Sequence, residues 1–164
     1  MNLLSFRIAV AAGLLAAFVP ATAVALAQVP STATQTVADT SIPAQDLVQP
    51  SDLIQLLQSS EKPLVLQVGS HVLYAEAHIP GSEYVGAAGT SAGLQALRER
   101  VSALKKDQTI VIYCGCCPWG RCPNIRPAYA QLHALGFTRV KALYLANNLG
   151  ADWVDKGFPI AKGR

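Results

Sequence analysis

The sequence predicts an α/β protein built on an open, mainly parallel sheet flanked by helices. Three observations predict it. Short β-branched apolar runs alternate with stretches whose apolar residues recur at helical spacing. Glycine or proline marks most of the joins between them. A thiol-rich loop sits between the strongest strand signal and a helix start, and sheets of this kind bind ligands beyond the carboxyl ends of their strands.

The elements follow in order. Pro50-Ser51-Asp52-Leu53 opens a short helix with Ser51 as its N-cap, and Leu53, Ile54, Leu56 and Leu57 form its buried side. Residues 63–69 read as a core strand. His78-Ile79-Pro80-Gly81 is a turn, followed by a short strand at Glu83-Tyr84-Val85. Residues 91–106 carry Leu94, Leu97, Val101 and Leu104 on one helical face, with Lys105-Lys106 as a solvated end. Thr109-Ile110-Val111-Ile112-Tyr113 is the clearest strand, a buried run that ends in Cys114. Residues 124–135 form a helix with Asn124 as N-cap, Pro127 tolerated in its first turn and Gly136 as its stop. Residues 140–145 give another strand, and Ala151-Asp152-Trp153-Val154 a last helical turn.

The N-terminus has a different composition. Met1 to Arg7 carries one positive charge, and the next nineteen residues or so are almost wholly apolar and rich in alanine. Ala25-Leu26-Ala27 supplies a small-x-small cleavage pattern, so 1–27 reads as a signal peptide and the protein as exported, to the bacterial periplasm. The run is also long enough for a membrane anchor, against which Pro20 and the Ala-x-Ala end argue. Residues 28–45 are a linker or N-terminal arm rich in Thr, Ser, Ala, Pro and Val, and 46–164 is one domain. A net charge of only +3 over 164 residues offers no nucleic-acid surface, and after leader cleavage no membrane partner is expected.

All four cysteines of the chain fall in Cys114-Gly115-Cys116-Cys117-Pro118-Trp119-Gly120-Arg121-Cys122. A thiol at a helix N-terminus meets unpaired N–H groups and the positive end of the helix dipole, which favour its thiolate. The loop is therefore expected to arch over the start of the following helix, with N–H groups aimed into a cavity.

From Val48 onward the chain resembles a single rhodanese domain. Ser51-Asp52-Leu53 with Leu56-Leu57 is similar to that family's opening helix, and Leu64-Val65-Leu66-Gln67-Val68-Gly69 stands where it has a strand ending in Asp-Val-Arg. Tyr74, Glu76 and His78-Ile79-Pro80-Gly81-Ser82 resemble its Tyr…Gly-His-Ile-Pro-Gly-Ala segment. Ile110-Val111-Ile112-Tyr113-Cys114 resembles the strand that ends in the catalytic cysteine. Leu132, Leu135-Gly136-Phe137 and Val140, then Trp153 with Gly157-Phe158-Pro159, complete the pattern. The resemblance implies a five-stranded, mainly parallel sheet with 109–113 central. It also implies a sulfurtransferase that moves sulfane sulfur, through a cysteine persulfide, from a small sulfur donor to a thiol or cyanide acceptor, with no cofactor. An exported thiol protein is a further candidate partner.

Three departures stand out. Gln67 and Gly69 replace the acid and the arginine, Asn147-Asn148 replace Gly-Gly, and the active loop is several residues longer than Cys-x-x-Gly-x-Arg. Cys114 is the first candidate nucleophile because it ends the strand. Cys117 is the second, because Cys117-Pro118-Trp119-Gly120 also fits Cys-x-x-Gly. Cys116 and Cys122 are then resolving thiols. Arg121 and Arg126 are candidate anion clasps, and Trp119 and Gly120 candidate substrate contacts. His78 reads as a turn residue, and His71 and His133 as surface or half-buried. Two other uses of the cluster stay open at this point: thiol–disulfide redox, and capture of a soft metal such as Cu(I), although the spacing matches no standard zinc finger. Two structural disulfides are the plainer alternative, weakened by a core large enough to stand without them and by the strain of bridging Cys116 to Cys117.

Overall fold

Four residues of the β-branched run form the central strand of a five-stranded sheet in the computed structural model, which describes residues 42–163. The predicted signal peptide and most of the arm lie outside the described residues. In chain order the strands are β1 (Leu47–Val48), β2 (Leu64–Gln67), β3 (Glu83–Tyr84), β4 (Ile110–Tyr113) and β5 (Val140–Leu143). The helices are α1 (Pro50–Gln58), α2 (His71–Glu76), α3 (Ser91–Val101) and α4 (Ile125–Ala134). The sheet order is β1-β5-β4-β2-β3 and every pair is parallel, as helical crossovers between successive strands require.

Period-two alternation along β4 divides the core into two layers. Ile110 and Ile112 face α3 and α4, packing with Leu97, Val101, Leu132 and Phe137. Val111 and Tyr113 face the other way, packing with Leu53 of α1, Leu143 and Trp153. All four β4 residues are fully buried, which explains a run with no polar alternation. Each such aliphatic side chain contributes about 1.5–3 kcal/mol by leaving water. No helix among the described residues is long and apolar enough to cross a membrane.

Some element ends differ from the sequence reading. α1 is capped by Gln49 with Pro50 in its first turn, and Ser51 is an exposed helical residue whose hydroxyl reaches only Asp52. Proline pre-sets the backbone for that first position, so it displaces the serine as the start signal. α3 stops at Val101, where Ser102 Oγ donates to Glu99 O. Leu104 continues the apolar stripe from a turn, and Lys106 lies over the Phe137 ring, 4.2 Å from its centre. Two elements have no strong sequence signal: β1, only two residues long, and α2, a six-residue helix with Val72 and Leu73 exposed. Residues 42–46 belong structurally to the sheet's rim, for Ile42 packs against the core and Lys141 Nζ donates to Gln45 O at 2.7 Å.

The turn after α2 is locked from below. His78 Nδ1 donates to Tyr74 O at 2.8 Å and its ring stacks on Tyr74, so it is a turn residue. Tyr113, at the end of β4, accepts from the N–H of Ile79 at 3.3 Å and bonds Ser82 Oγ at 2.9 Å. His71 and His133 are exposed.

Glu83 of β3 and Arg100 of α3 form a two-point ion pair whose Nη2–Oε1 arm is 2.8 Å. Arg100 holds the Glu83 carboxyl below the usual carboxylate range. Both side chains are about one-third exposed or more, so Arg100→Ala is expected to cost under about 1 kcal/mol in denaturant unfolding. A loss several times larger would mean that the pair carries the β3 edge.

Candidate functional site

The loop that follows β4 is folded back on itself. Cys114 leaves the strand end, 4% exposed. Gly115 then adopts a φ of +79°, open to glycine, and its C=O accepts from the N–H of Leu149 at 3.1 Å. A Cβ at Gly115 would also stand only 3.1 Å from that of Leu149. Cys116, Cys117 and Pro118 lead to a single 3-10 turn, Trp119–Arg121, tied to the neighbouring 144–146 segment. Trp119 N–H donates to Ala146 O at 3.3 Å, and its ring lies 5.3 Å from that of Tyr144. That turn carries Cys122 back beside Cys114 at the head of α4.

The result is one cluster of sulfur. All four Sγ atoms lie within 4.8 Å of one another. Cys116 Sγ is 3.0 Å from Cys114 Sγ and 3.0 Å from Cys117 Sγ. All four are free thiols.

Two contacts explain departures in the sequence. Gln67, buried at the end of β2, donates from Nε2 to Cys114 O at 3.0 Å and accepts from the N–H of Gly69 at 3.1 Å. A Cβ on Gly69 would stand 2.7 Å from Cys114 O and 2.9 Å from Cys114 Sγ, so Gly69 is the space in which the cysteine sits. Asn147-Asn148 bond to Asp152 and cap the closing turn: Asn147 N–H and Asn148 N–H donate to its carboxylate at 2.6 Å and 3.1 Å.

Asn124 is the residue whose part the sequence concealed. It stands at the N-cap position but makes no side-chain capping bond. Its buried amide instead accepts from Gly89 N–H at 2.8 Å and donates from Nδ2 to Cys114 Sγ at 3.2 Å. No local spacing announces a contact 35 residues away.

The helix field falls on Cys122. The N–H groups of Asn124 and Ile125 face its sulfur, and together with the Cys114 thiol, which donates to it and has the largest effect, they bring its pKa down to about 6 against the effect of burial. Cys114 is pushed well up by donating to Cys122, then by burial and by Cys116. Cys117 is pushed up to about 12, first by burial and then by Cys116. The sign of the pH dependence follows. Unfolded thiols titrate near 9. The lowered Cys122 contributes stability present in full above that value and lost as pH falls through about 6. The raised Cys114 and Cys117 contribute stability that is present below 9 and lost as pH rises toward 12. The reduced, metal-free protein is therefore expected to gain thermal stability from pH 6 to 9 and to lose it above; a flat calorimetric profile would contradict the assignment of the thiolate to Cys122.

A cavity of about 330 Å³ opens beside Cys114 and Cys116, walled by Leu73, Leu149 and Val154, with Glu76 as the one charged residue in its lining. Trp119, Gly120, Arg121 and Arg126 are not in that lining. Arg121 and Arg126 are exposed and make no ion pair among the described residues. Gly120 has open space where a side chain would be. The structure thus brings the four cysteines together and leaves both guanidinium groups outside the cavity.

A family model for the rhodanese-like domain matches residues 49–145. Among solved structures, the BH2092 protein of Bacillus halodurans is similar at 24% identity and a TM-score of 0.54, over 70% of this chain and 75% of that one. The Alr3790 protein of Anabaena is similar at 23% identity and a TM-score of 0.53, over 71% and 92%. A thiosulfate sulfurtransferase of Pseudomonas aeruginosa is similar at 26% identity and a TM-score of 0.53, over 72% of this chain but 19% of its own. No curated protein matches the sequence.

Proposed function

The chain belongs to the rhodanese-like domain family, and from that premise we propose that its enlarged 114–122 loop is a thiolate site for a soft metal ion, Cu(I) before others. The family supports a general sulfurtransferase-type function, and the observation that carries the finer reading is the convergence of four Sγ atoms within 4.8 Å. Transfer through a persulfide needs one nucleophile and an open approach to it. Four sulfurs turned toward one another are a ligand set. Two sulfurs on a tetrahedral ion with arms of about 2.3 Å stand about 3.8 Å apart. The shortest separations here are 3.0 Å and all lie within 4.8 Å, so small side-chain rotations suffice. A set made of thiolates alone, with no carboxylate or imidazole, suits soft and borderline ions such as Cu(I) and Zn²⁺. The Cys-x-Cys-Cys spacing also departs from the paired Cys-x-x-Cys of structural zinc sites.

Anaerobic competition between the reduced protein and Cu(I) chelators of graded strength tests this. The protein is expected to retain Cu(I) against a weak chelator, and its affinity to rise with pH by roughly tenfold per unit for each thiol that gives up a proton on binding. Surrender of all Cu(I) to a weak chelator would sink the reading. Retention after all four cysteines become serine would place the metal elsewhere.

A second reading, sulfur transfer, is favoured by the N–H groups that face Cys122. On it, a thiolate attacks the sulfane sulfur of a donor, the donor's S–S bond breaks, and sulfite or a thiolate leaves. A second thiolate then attacks the persulfide and carries the outer sulfur away, or forms a disulfide and expels hydrosulfide. Cys114, as the strand-end residue, and Cys122, as the thiolate at the helix head, are the two candidates for the first attack. Single-turnover labelling with thiosulfate separates them: the variant lacking the true nucleophile stays unlabelled.

We place this chemistry outside the cytoplasm, in a bacterial periplasm, because 1–27 has the composition and cleavage pattern of a leader. N-terminal sequencing of the mature protein is expected to begin at Gln28. The partners are then a donor of the metal or of sulfur, and an exported thiol protein.

A further inference from the structure

Resting on the soft-metal reading, we infer that Asn124 is a positioning residue that fixes the orientation of Cys114 as a thiolate ligand. The inference comes from the orientation of one buried amide. A side-chain amide has two faces, an acceptor and a donor, and either can be turned toward a sulfur. Here the choice is made by the backbone. Gly89 N–H occupies Oδ1 at 2.8 Å, so Nδ2 must point the other way, and it meets Cys114 Sγ at 3.2 Å. Nothing in the contact depends on a mobile group, because Asn124 is 6% exposed and stands where α4 begins. The approach on the Gly89 side is close as well, for a Cβ there would be 3.0 Å from Oδ1.

The consequence for a metal thiolate is specific. A thiolate sulfur has three lone pairs. On Cys114 one accepts the Asn124 amide, which sets the directions left for a metal. The N–H···S bond also spreads the negative charge of a nearly buried ligand. Metal ligands commonly rely on such outer partners, and losing one costs about 10–100-fold in affinity. The capping role expected of an asparagine at this position would predict a loss of helix stability only, with the metal site untouched.

The test has two arms. In the first, Cu(I) affinity of the reduced protein is measured by chelator competition for the native chain, Asn124→Asp and Asn124→Leu, with folding monitored by circular dichroism. Asp keeps the shape and the acceptor for Gly89 but has no N–H for sulfur; Leu keeps the branching at Cγ, with neither N–H nor charge. Both are expected to weaken Cu(I) binding by about 10–100-fold. The second arm needs no variant. The reduced native protein is loaded with 113Cd, and proton–cadmium correlation is recorded; a cross-peak from the Asn124 side-chain amide, carried through the sulfur, is expected. Affinities within twofold of native in both folded variants would overturn the inference, and so would a cadmium-loaded spectrum that shows cysteine ligation but no Asn124 cross-peak. If instead the native protein fails to hold Cu(I) at all, the soft-metal reading falls, and this inference with it; a native protein that binds while the variants bind equally well defeats the inference alone.

Discussion

The Cys122→Ser protein is expected to lose Cu(I) retention by more than the roughly 10–100-fold that removal of an outer partner costs. Cys122 is the thiol that the fold already keeps ionised near neutral pH, because the N–H groups at the head of α4 face it and the Cys114 thiol donates to it. On the soft-metal reading its loss removes a ligand, and it also removes the group that the Cys114 thiol faces. Serine preserves shape but supplies a hard, protonated oxygen that a soft ion does not favour. Competition titration at pH 7 and at pH 9 checks it. A loss confined to the lower pH, with recovery at pH 9, would show that Cys114, Cys116 and Cys117 suffice and that Cys122 only lowers the proton competition.

The second large effect is expected from Gly69→Ala. The added methyl would stand 2.7 Å from the backbone oxygen and 2.9 Å from the sulfur of Cys114, so one of them must shift. Overpacking of this kind costs about 1–3 kcal/mol, or a fall in Tm on the order of 5–10 °C for a domain of this size. On the soft-metal reading the displaced residue is a ligand, so metal affinity is expected to fall too. Gly120→Ala is the matched control in the same region, since nothing lies within 4 Å of the position its methyl would take. It is expected to stay within about 0.5 kcal/mol of native. Equal losses in both variants would mean that the loop tolerates no substitution and that the close approach of Gly69 is not the cause.

The sheet was legible because its central strand is buried on both faces, so apolar β-branched residues run without interruption from Ile110 to Ile112. β1 and α2 were not, because two residues carry no period and a six-residue helix with an exposed apolar side has no clean one. The presence of a thiol loop before α4 could be read directly, since strand, cysteines and helix are contiguous. Which thiol meets the helix N–H groups could not, because that depends on the Trp119–Arg121 turn reversing the chain. Arg121 and Arg126 looked like anion clasps by position, yet position along a loop does not fix what a side chain reaches, and neither is in the cavity lining. Gln67 and Gly69 were visible as departures, and only the packing of Cys114 against them gives the reason.

The four sulfurs occupy nine consecutive residues, so an unfolded chain carries the whole ligand set in one short segment. An ion with affinity for that segment is a ligand of the unfolded state as well as of the folded one. Its contribution to folding free energy is then only the difference between the two affinities, not the full binding energy. That difference must come from groups brought to the loop by folding: the Asn124 amide oriented by Gly89, 35 residues earlier in the chain, and the gap left at Gly69. On the soft-metal reading, loading of the metal thus does not have to wait for the sheet to form.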